Sequence, residues 1–266
     1  MLAPADRESS PDRDIDVPAA VVCLVCGEVD CPGCERGDQS RSGIVAIIAW
    51  ERPAMPMLAR LWSTARSTTR DAEGFFELMP DGPILPALRF AALCELIAVS
   101  SFALVFFAIA LVVAPEWVKH LALDPAARSI ALRLLVLGIP AFAGLLVVGH
   151  AAHGLSIDIG ATKQGARRAR SRALRFGLYA CGWDLVPSPI GAIVVAFKEG
   201  IRAMFGLTGL LSGLPTRSTN AFLRGCYRLD GQPAKKALGT SYVGAALVTG
   251  FFALLLLVAL TILALA

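Results

Sequence analysis

The chain has 266 residues, 56% of them hydrophobic and 17% charged, with a mean hydropathy of +0.63. An ordinary soluble domain is less apolar and more charged, so composition excludes that class and points to a membrane protein. Residues 1–50 carry a net charge of −5 and residues 51–266 a net charge of +9, which predicts an acidic soluble N-terminal part and a basic membrane part.

Residues 1–18, MLAPADRESSPDRDIDVP, are polar and charged, without the apolar core of a secretory signal. They read as a disordered acidic tail that starts in the cytoplasm. Residues 19–43 follow, with CLVCGEVDCPGC placing Cys23, Cys26, Cys31 and Cys34 in two CxxC pairs. Two such pairs present four thiolates to one Zn²⁺, and a closed Cys₄ set is the structural kind of zinc site. A reducing cytosol opposes two disulfides. The four-residue gap does not match a bacterial ferredoxin. Redox-active thiols or a chance cluster are the alternatives. The segment holds too few apolar side chains to bury a core, so a zinc-knuckle-like fold would depend on the metal. Its acidity does not support nucleic-acid binding.

Residues 44–85 read as a linker. GIVAIIAWERP, residues 43–53, is β-prone. MLARLWSTARSTTRD, residues 57–71, sets Met57, Leu58, Leu61, Trp62 and Ala65 at helical spacing. That face suits either the membrane interface or packing on the membrane domain.

Membrane spans are expected from residue 86 onwards. Long apolar runs at about 90–114, 131–153 and 239–263 each suffice for a crossing of about 20 residues. Residues 176–197 and 203–215 are harder to read, and allow one crossing, two crossings or a re-entrant hairpin. The loops 158–175 and 214–238 are both rich in Arg and Lys, which marks the cytoplasmic side. An even number of crossings then joins them. Two are expected, at about 170–186 and 190–213, with a break near Pro187–Pro189. The fold class is an all-α membrane protein: a bundle of about five transmembrane helices with a small cytoplasmic Cys₄ zinc-knuckle segment. Its N-terminus is cytoplasmic and its C-terminus lies on the opposite side.

Ionisable residues inside spans are costly and usually face other protein. Glu95, His150, His153, Asp184, Lys198, Glu199 and Arg202 are the cases here. His150 and His153 share one helix face. Lys198 and Arg202 share another, with Glu199 beside Arg202. Interfacial groups and interhelical hydrogen bonds are the expected role, and a proton or metal relay is the alternative. Cys94 and Cys181 read as small packing groups, and Cys226 as an unmodified thiol in a basic loop. No nucleophile–base set, phosphate loop or HExxH motif is present, so no enzyme is expected.

Several motifs run in order through residues 71–266. DAEGFFELMPDGPILPALRFAAL pairs two Phe with a Pro/Gly turn before the first span. GHAAHGLSIDIGA leads out of the second. RALRFGLYA and VPSPIGAIVVAFKEGIRAMFGLTGL follow. Together they resemble the Yip1 family of membrane proteins. The resemblance implies five spans and a membrane-organising or adaptor role, associated in eukaryotic members with vesicle trafficking and Rab-type GTPases. The cysteine cluster is an addition to that pattern, and the charges of the fourth span depart from it. The expected partners are the lipid bilayer and a cytoplasmic protein met by the zinc segment. The alternative function is a small-solute or ion transporter or channel, which requires the intramembrane charges to converge on a cavity. In the purified chain, Cys26→Ser is expected to remove one equivalent of bound zinc, measured by elemental analysis. An unchanged zinc content would refute the Cys₄ assignment.

Overall fold

The computed structural model describes residues 21–23, 44–46, 48–52 and 55–265. The chain divides into two compact units, ending and starting at Ile47 and Ile48.

In the first unit, β1 (Val21–Cys23) pairs antiparallel with β2 (Ile44–Ala46). Val21 lies opposite Ala46 and Cys23 opposite Ile44. β-Branched residues suit such a pairing. The connection between the strands is residues 24–43, so the pairing brings the ends of the cysteine-bearing segment together. The boundary expected between residues 43 and 44 falls inside this pairing. Cys26, Cys31, Cys34 and residues 1–18 lie outside the described residues.

The second unit is helical. After a 3₁₀ turn at Ala49–Glu51 come α1 (Met57–Arg70), α2 (Ala72–Glu77), α3 (Ile84–Val113), α4 (Pro115–Leu123) and α5 (Pro125–Lys163). Then follow α6 (Arg170–Ala180), α7 (Gly182–Leu185), α8 (Pro189–Glu199), α9 (Ile201–Leu211), α10 (Leu214–Phe222) and α11 (Gly231–Leu265). A π-helical turn, Leu223–Tyr227, extends α10.

Helices α3, α5 and α11 are each long and apolar enough to cross a bilayer. They match the expected spans at 90–114, 131–153 and 239–263, and run beyond them at the ends. Helix α5 starts where Asp124 caps it, accepting from the Ala126 N–H at 2.9 Å ahead of Pro125. Helices α5 and α11 are antiparallel: Gly160 lies against Ala237, Gly149 against Thr249 and Gly138 against Leu260. Large side chains such as Phe106, Val112, Leu137, Phe251 and Leu257 point outward on the apolar stretches. Water would oppose that exposure, and lipid favours it.

The expected spans at 170–186 and 190–213 are each divided into two helices. Helices α6 and α8 have 11 residues each, a rise of about 16 Å, against an apolar bilayer core of about 30 Å. A bend of 72° separates Arg170–Leu185 from Pro189–Glu199. The cause is local. Pro187 and Pro189 disfavour continued helix before them. Ser188 caps α8 through Gly191 N–H at 3.2 Å, and Gly200, at φ 91°, separates α8 from α9.

The core lies at one end of the long helices. Phe75 and Phe76 of α2, Phe90 of α3, Phe176 and Tyr179 of α6 and Phe222 of α10 are buried there in edge-on and stacked pairs. Helix α1 turns Leu61, Ala65 and Thr68 inward. Trp183 Nε1 donates to Thr68 O at 2.8 Å, and Trp50 N–H donates to Thr64 Oγ1 at 2.9 Å. Of the apolar face expected over 57–71, Leu61 and Ala65 pack on the protein, while Met57 and Leu58 at its start are exposed. Arg175, fully buried, donates to Glu51 Oε1 at 2.8 Å, and Tyr179 O–H donates to the same oxygen at 2.6 Å.

Helices α5 and α6 meet backbone to backbone. A Cβ at Gly177 would lie 2.2 Å from the His150 carbonyl oxygen, and one at Gly154 would lie 2.2 Å from that of Ala173. Gly177→Ala is therefore expected to cost about 1–3 kcal/mol by overpacking. Gly206→Ala, on α9 with open space around it, should be neutral or slightly stabilising. Thermal unfolding in detergent measures both, and equal midpoints would refute the tight crossing.

Candidate functional site

Four helices deliver a polar cluster beside this crossing. Glu95 comes from α3, His150 from α5, Cys181 from the α6–α7 junction and Asp184 from α7. His150 Nε2 lies 2.8 Å from Asp184 Oδ2 and 3.7 Å from Glu95 Oε1. Glu95 is fully buried, and neither carboxyl oxygen has a hydrogen-bond partner among the described residues. An unmade bond on a buried carboxyl is expensive. The nearest ligating atoms of Glu95, His150 and Cys181 all lie within 4.8 Å of one another.

His150 and Asp184 also face a cavity of about 480 Å³. His153, one helical turn along from His150, lines it too. Its Nε2 is 3.1 Å from Thr219 Oγ1, and its ring stacks on Tyr242 at 5.5 Å. Leu146, Leu214 and Thr249 complete the walls used here. The cavity is thus mostly apolar, with His150, His153 and Asp184 on one wall and Tyr242 and Thr249 of α11 on another.

The sequence expectations divide around this geometry. His150 and His153 do share a face, but each has its own partner. Glu95 and Asp184 both meet His150. Lys198, Glu199 and Arg202 do not join them. The break at Gly200 interrupts the helix that would have set Lys198 four residues from Arg202 and Glu199 three residues from it. Lys198 and Arg202 are exposed. Glu199 turns to α1, where it pairs with Arg66 at 3.2 Å and with Arg70. Glu199 thus fastens α8 to α1, and none of the three residues lines the cavity. Cys181 was read as packing alone. Its signal was available: it lies three residues before Asp184, on the same helical side.

A second polar hub sits about two turns further along α5. Asp158, buried, accepts from Tyr227 O–H at 2.8 Å and from Ala169 N–H at 2.7 Å. This ties the π-helical turn to the loop before α6. Its neighbour Cys226 is half-buried. Burial pushes the Cys226 thiol up to about 11, against the opposing pull of the Arg172 guanidinium.

Comparison with protein-family models, with curated proteins and with solved structures gave no match.

Only the thiolate of a cysteine is nucleophilic. With its pKa at about 11, Cys226 holds roughly one thiolate in a thousand at pH 8. Maleimide labelling at Cys226, mapped by mass spectrometry, should be slow at pH 7 and rise about tenfold per pH unit up to pH 9. A rate that levels off by pH 8 would show an ordinary exposed thiol.

Proposed function

We propose that the chain is a non-enzymatic, multi-pass membrane protein that binds a small polar solute or ion in the cavity between α5, α10 and α11. One observation carries this reading: His150, His153 and Asp184 converge on a single cavity, with Glu95 directly behind them. Intramembrane ionisable groups that gather at a cavity mark solute and ion sites. Transport is the use such a site serves when the cavity opens alternately to the two sides.

The topology that supports it has the basic ends on the cytoplasmic side. Helices α5 and α11 are antiparallel, so the chain leaves α5 and enters α11 at the same face. Residues 164–230 must return to the side they left. The short helices α6 to α9 fit a re-entrant hairpin that enters and leaves on that face; two tilted, broken crossings would give the five-span count instead. Arg167, Arg168, Arg170, Lys235 and Lys236 lie at this end, which makes it cytoplasmic. The N-terminus lies on the same side and the C-terminus opposite.

A second reading has its own support. The β1–β2 pairing sets the cysteine segment apart as a unit separate from the helical one. This fits a zinc-stabilised cytoplasmic docking segment on a Yip1-like membrane-organising or adaptor protein.

Proteoliposomes holding the full chain test the first reading against a panel of monovalent cations, divalent cations and zwitterionic solutes. Uptake of at least one is expected. It should fall at least tenfold in Asp184→Asn and in His150→Asn, and persist in Lys198→Gln. No uptake across the panel, or uptake untouched by Asp184→Asn, would overturn the reading.

A further inference from the structure

We propose that Glu95, His150, Cys181 and Asp184 form a site for a divalent transition-metal ion of the zinc type, reached from the cavity. The inference rests on the cavity reading for access alone; the coordination stands on the cluster itself.

The donor set argues for the class of ion. A thiol, an imidazole and two carboxyls suit Zn²⁺ or Co²⁺, whereas Mg²⁺ and Ca²⁺ take oxygen alone. The spacing is close to that of a tetrahedral site. Ligands about 2.0–2.3 Å from zinc stand roughly 3.3–3.8 Å from one another. His150 Nε2 and Glu95 Oε1 are 3.7 Å apart. The ligating atoms of Glu95, His150 and Cys181 lie within 4.8 Å of each other, so a contraction of about 1 Å closes the set. Asp184, 2.8 Å from the same imidazole nitrogen, is the fourth donor.

The unmet bonding of the cluster is the independent observation. Both oxygens of Glu95 are buried, and neither has a hydrogen-bond partner among the described residues. Among the described residues, Glu95 and Asp184 both pair with His150 and neither pairs with a Lys or Arg. A divalent cation would neutralise the two carboxylates. Binding requires Cys181 as the thiolate and His150 Nε2 free of a proton, and whatever protons these groups release pass to solvent through the cavity. Access is one-sided: Glu95 and Cys181 are buried, while His150 and Asp184 reach the cavity surface.

The N-terminal cysteines would mask this site, so the test uses the full chain with Cys23, Cys26, Cys31 and Cys34 all replaced by Ser. Titration with Co²⁺ in detergent is expected to give one equivalent bound and a thiolate-to-cobalt charge-transfer band. Cys181→Ala should abolish the band. Glu95→Gln should weaken binding at least tenfold and leave the helical fold intact by circular dichroism. Lys198→Gln, exposed and outside the cavity, should leave both unchanged. No charge-transfer band in the four-serine chain, or a band that survives Cys181→Ala, would overturn the site. Uptake that persists at full affinity in both Glu95→Gln and His150→Asn would do the same. Since binding is read without flux, a metal site in a chain that transports nothing would sink the transport reading alone.

Discussion

The backbone contact between α5 and α6 at Gly154 and Gly177 is the constraint on which the rest depends. Two glycines facing each other let the helix axes approach more closely than any pair with side chains would. Helix α6 is short, and α7 follows it after a single junction residue. The position of α6 on α5 therefore fixes where Cys181 and Asp184 stand. His150 contributes the carbonyl that Gly177 touches. The same contact thus sets the distance between the imidazole on α5 and the carboxyl on α7. A wider crossing would open the 2.8 Å His150–Asp184 contact before it disturbed anything in the long helices.

The short helices need support that a bilayer does not give. Lipid solvates α3, α5 and α11 along their apolar stretches, but it offers little to a helix of 11 residues ending in polar loops. The aromatic core supplies that support. Phe176 of α6 packs between Phe76 and Phe222, so α2 and α10 clasp it from two sides. Arg175 extends the clasp, since its guanidinium reaches Glu51 in the 3₁₀ turn and lies over the Tyr179 ring. Glu199 then holds α8 against α1. The charges of this end act as fasteners among short elements, whereas the long helices carry few.

Much of this was legible in the sequence, and the failures have a common cause. The three long apolar runs declared α3, α5 and α11, because hydropathy over about 20 residues is a strong signal. The Arg-rich loops gave the return of residues 164–230 to one side, which the antiparallel α5–α11 packing matches. Between one crossing, two crossings and a re-entrant hairpin hydropathy did not decide, because apolar composition reports solvation and not continuity. Gly200 and the prolines around Ser188 divide what hydropathy had joined. The same break removed Lys198, Glu199 and Arg202 from the site, since their grouping presumed an unbroken helix. Cys181 was passed over because a cysteine in an apolar run is ordinarily packing. Only the fold brings it beside Glu95, 86 positions earlier in the chain. Glu51, Arg175 and Tyr179 were missed for a similar reason, as their network joins residues more than 120 positions apart.

The buried networks around Glu51 and around Glu95 can be set against each other. Where a carboxylate serves the fold, as at Glu51, it meets a guanidinium and a phenol hydroxyl, and its charge is neutralised at once. A buried ion pair of this kind balances its desolvation cost with close hydrogen bonds. Glu95 is deeper than Glu51, yet it meets neither. Its closest ionisable partner is an imidazole already bonded to a second carboxyl. Packing alone would be better served by an apolar residue at that position, because an isolated buried carboxyl costs several kcal/mol, roughly, when nothing donates to it. The chain manages buried charge competently a few helical turns away. The incomplete bonding at Glu95 is therefore the observation on which the proposed metal site rests, and the cavity lined by His150 and Asp184 is what gives that proposal its access.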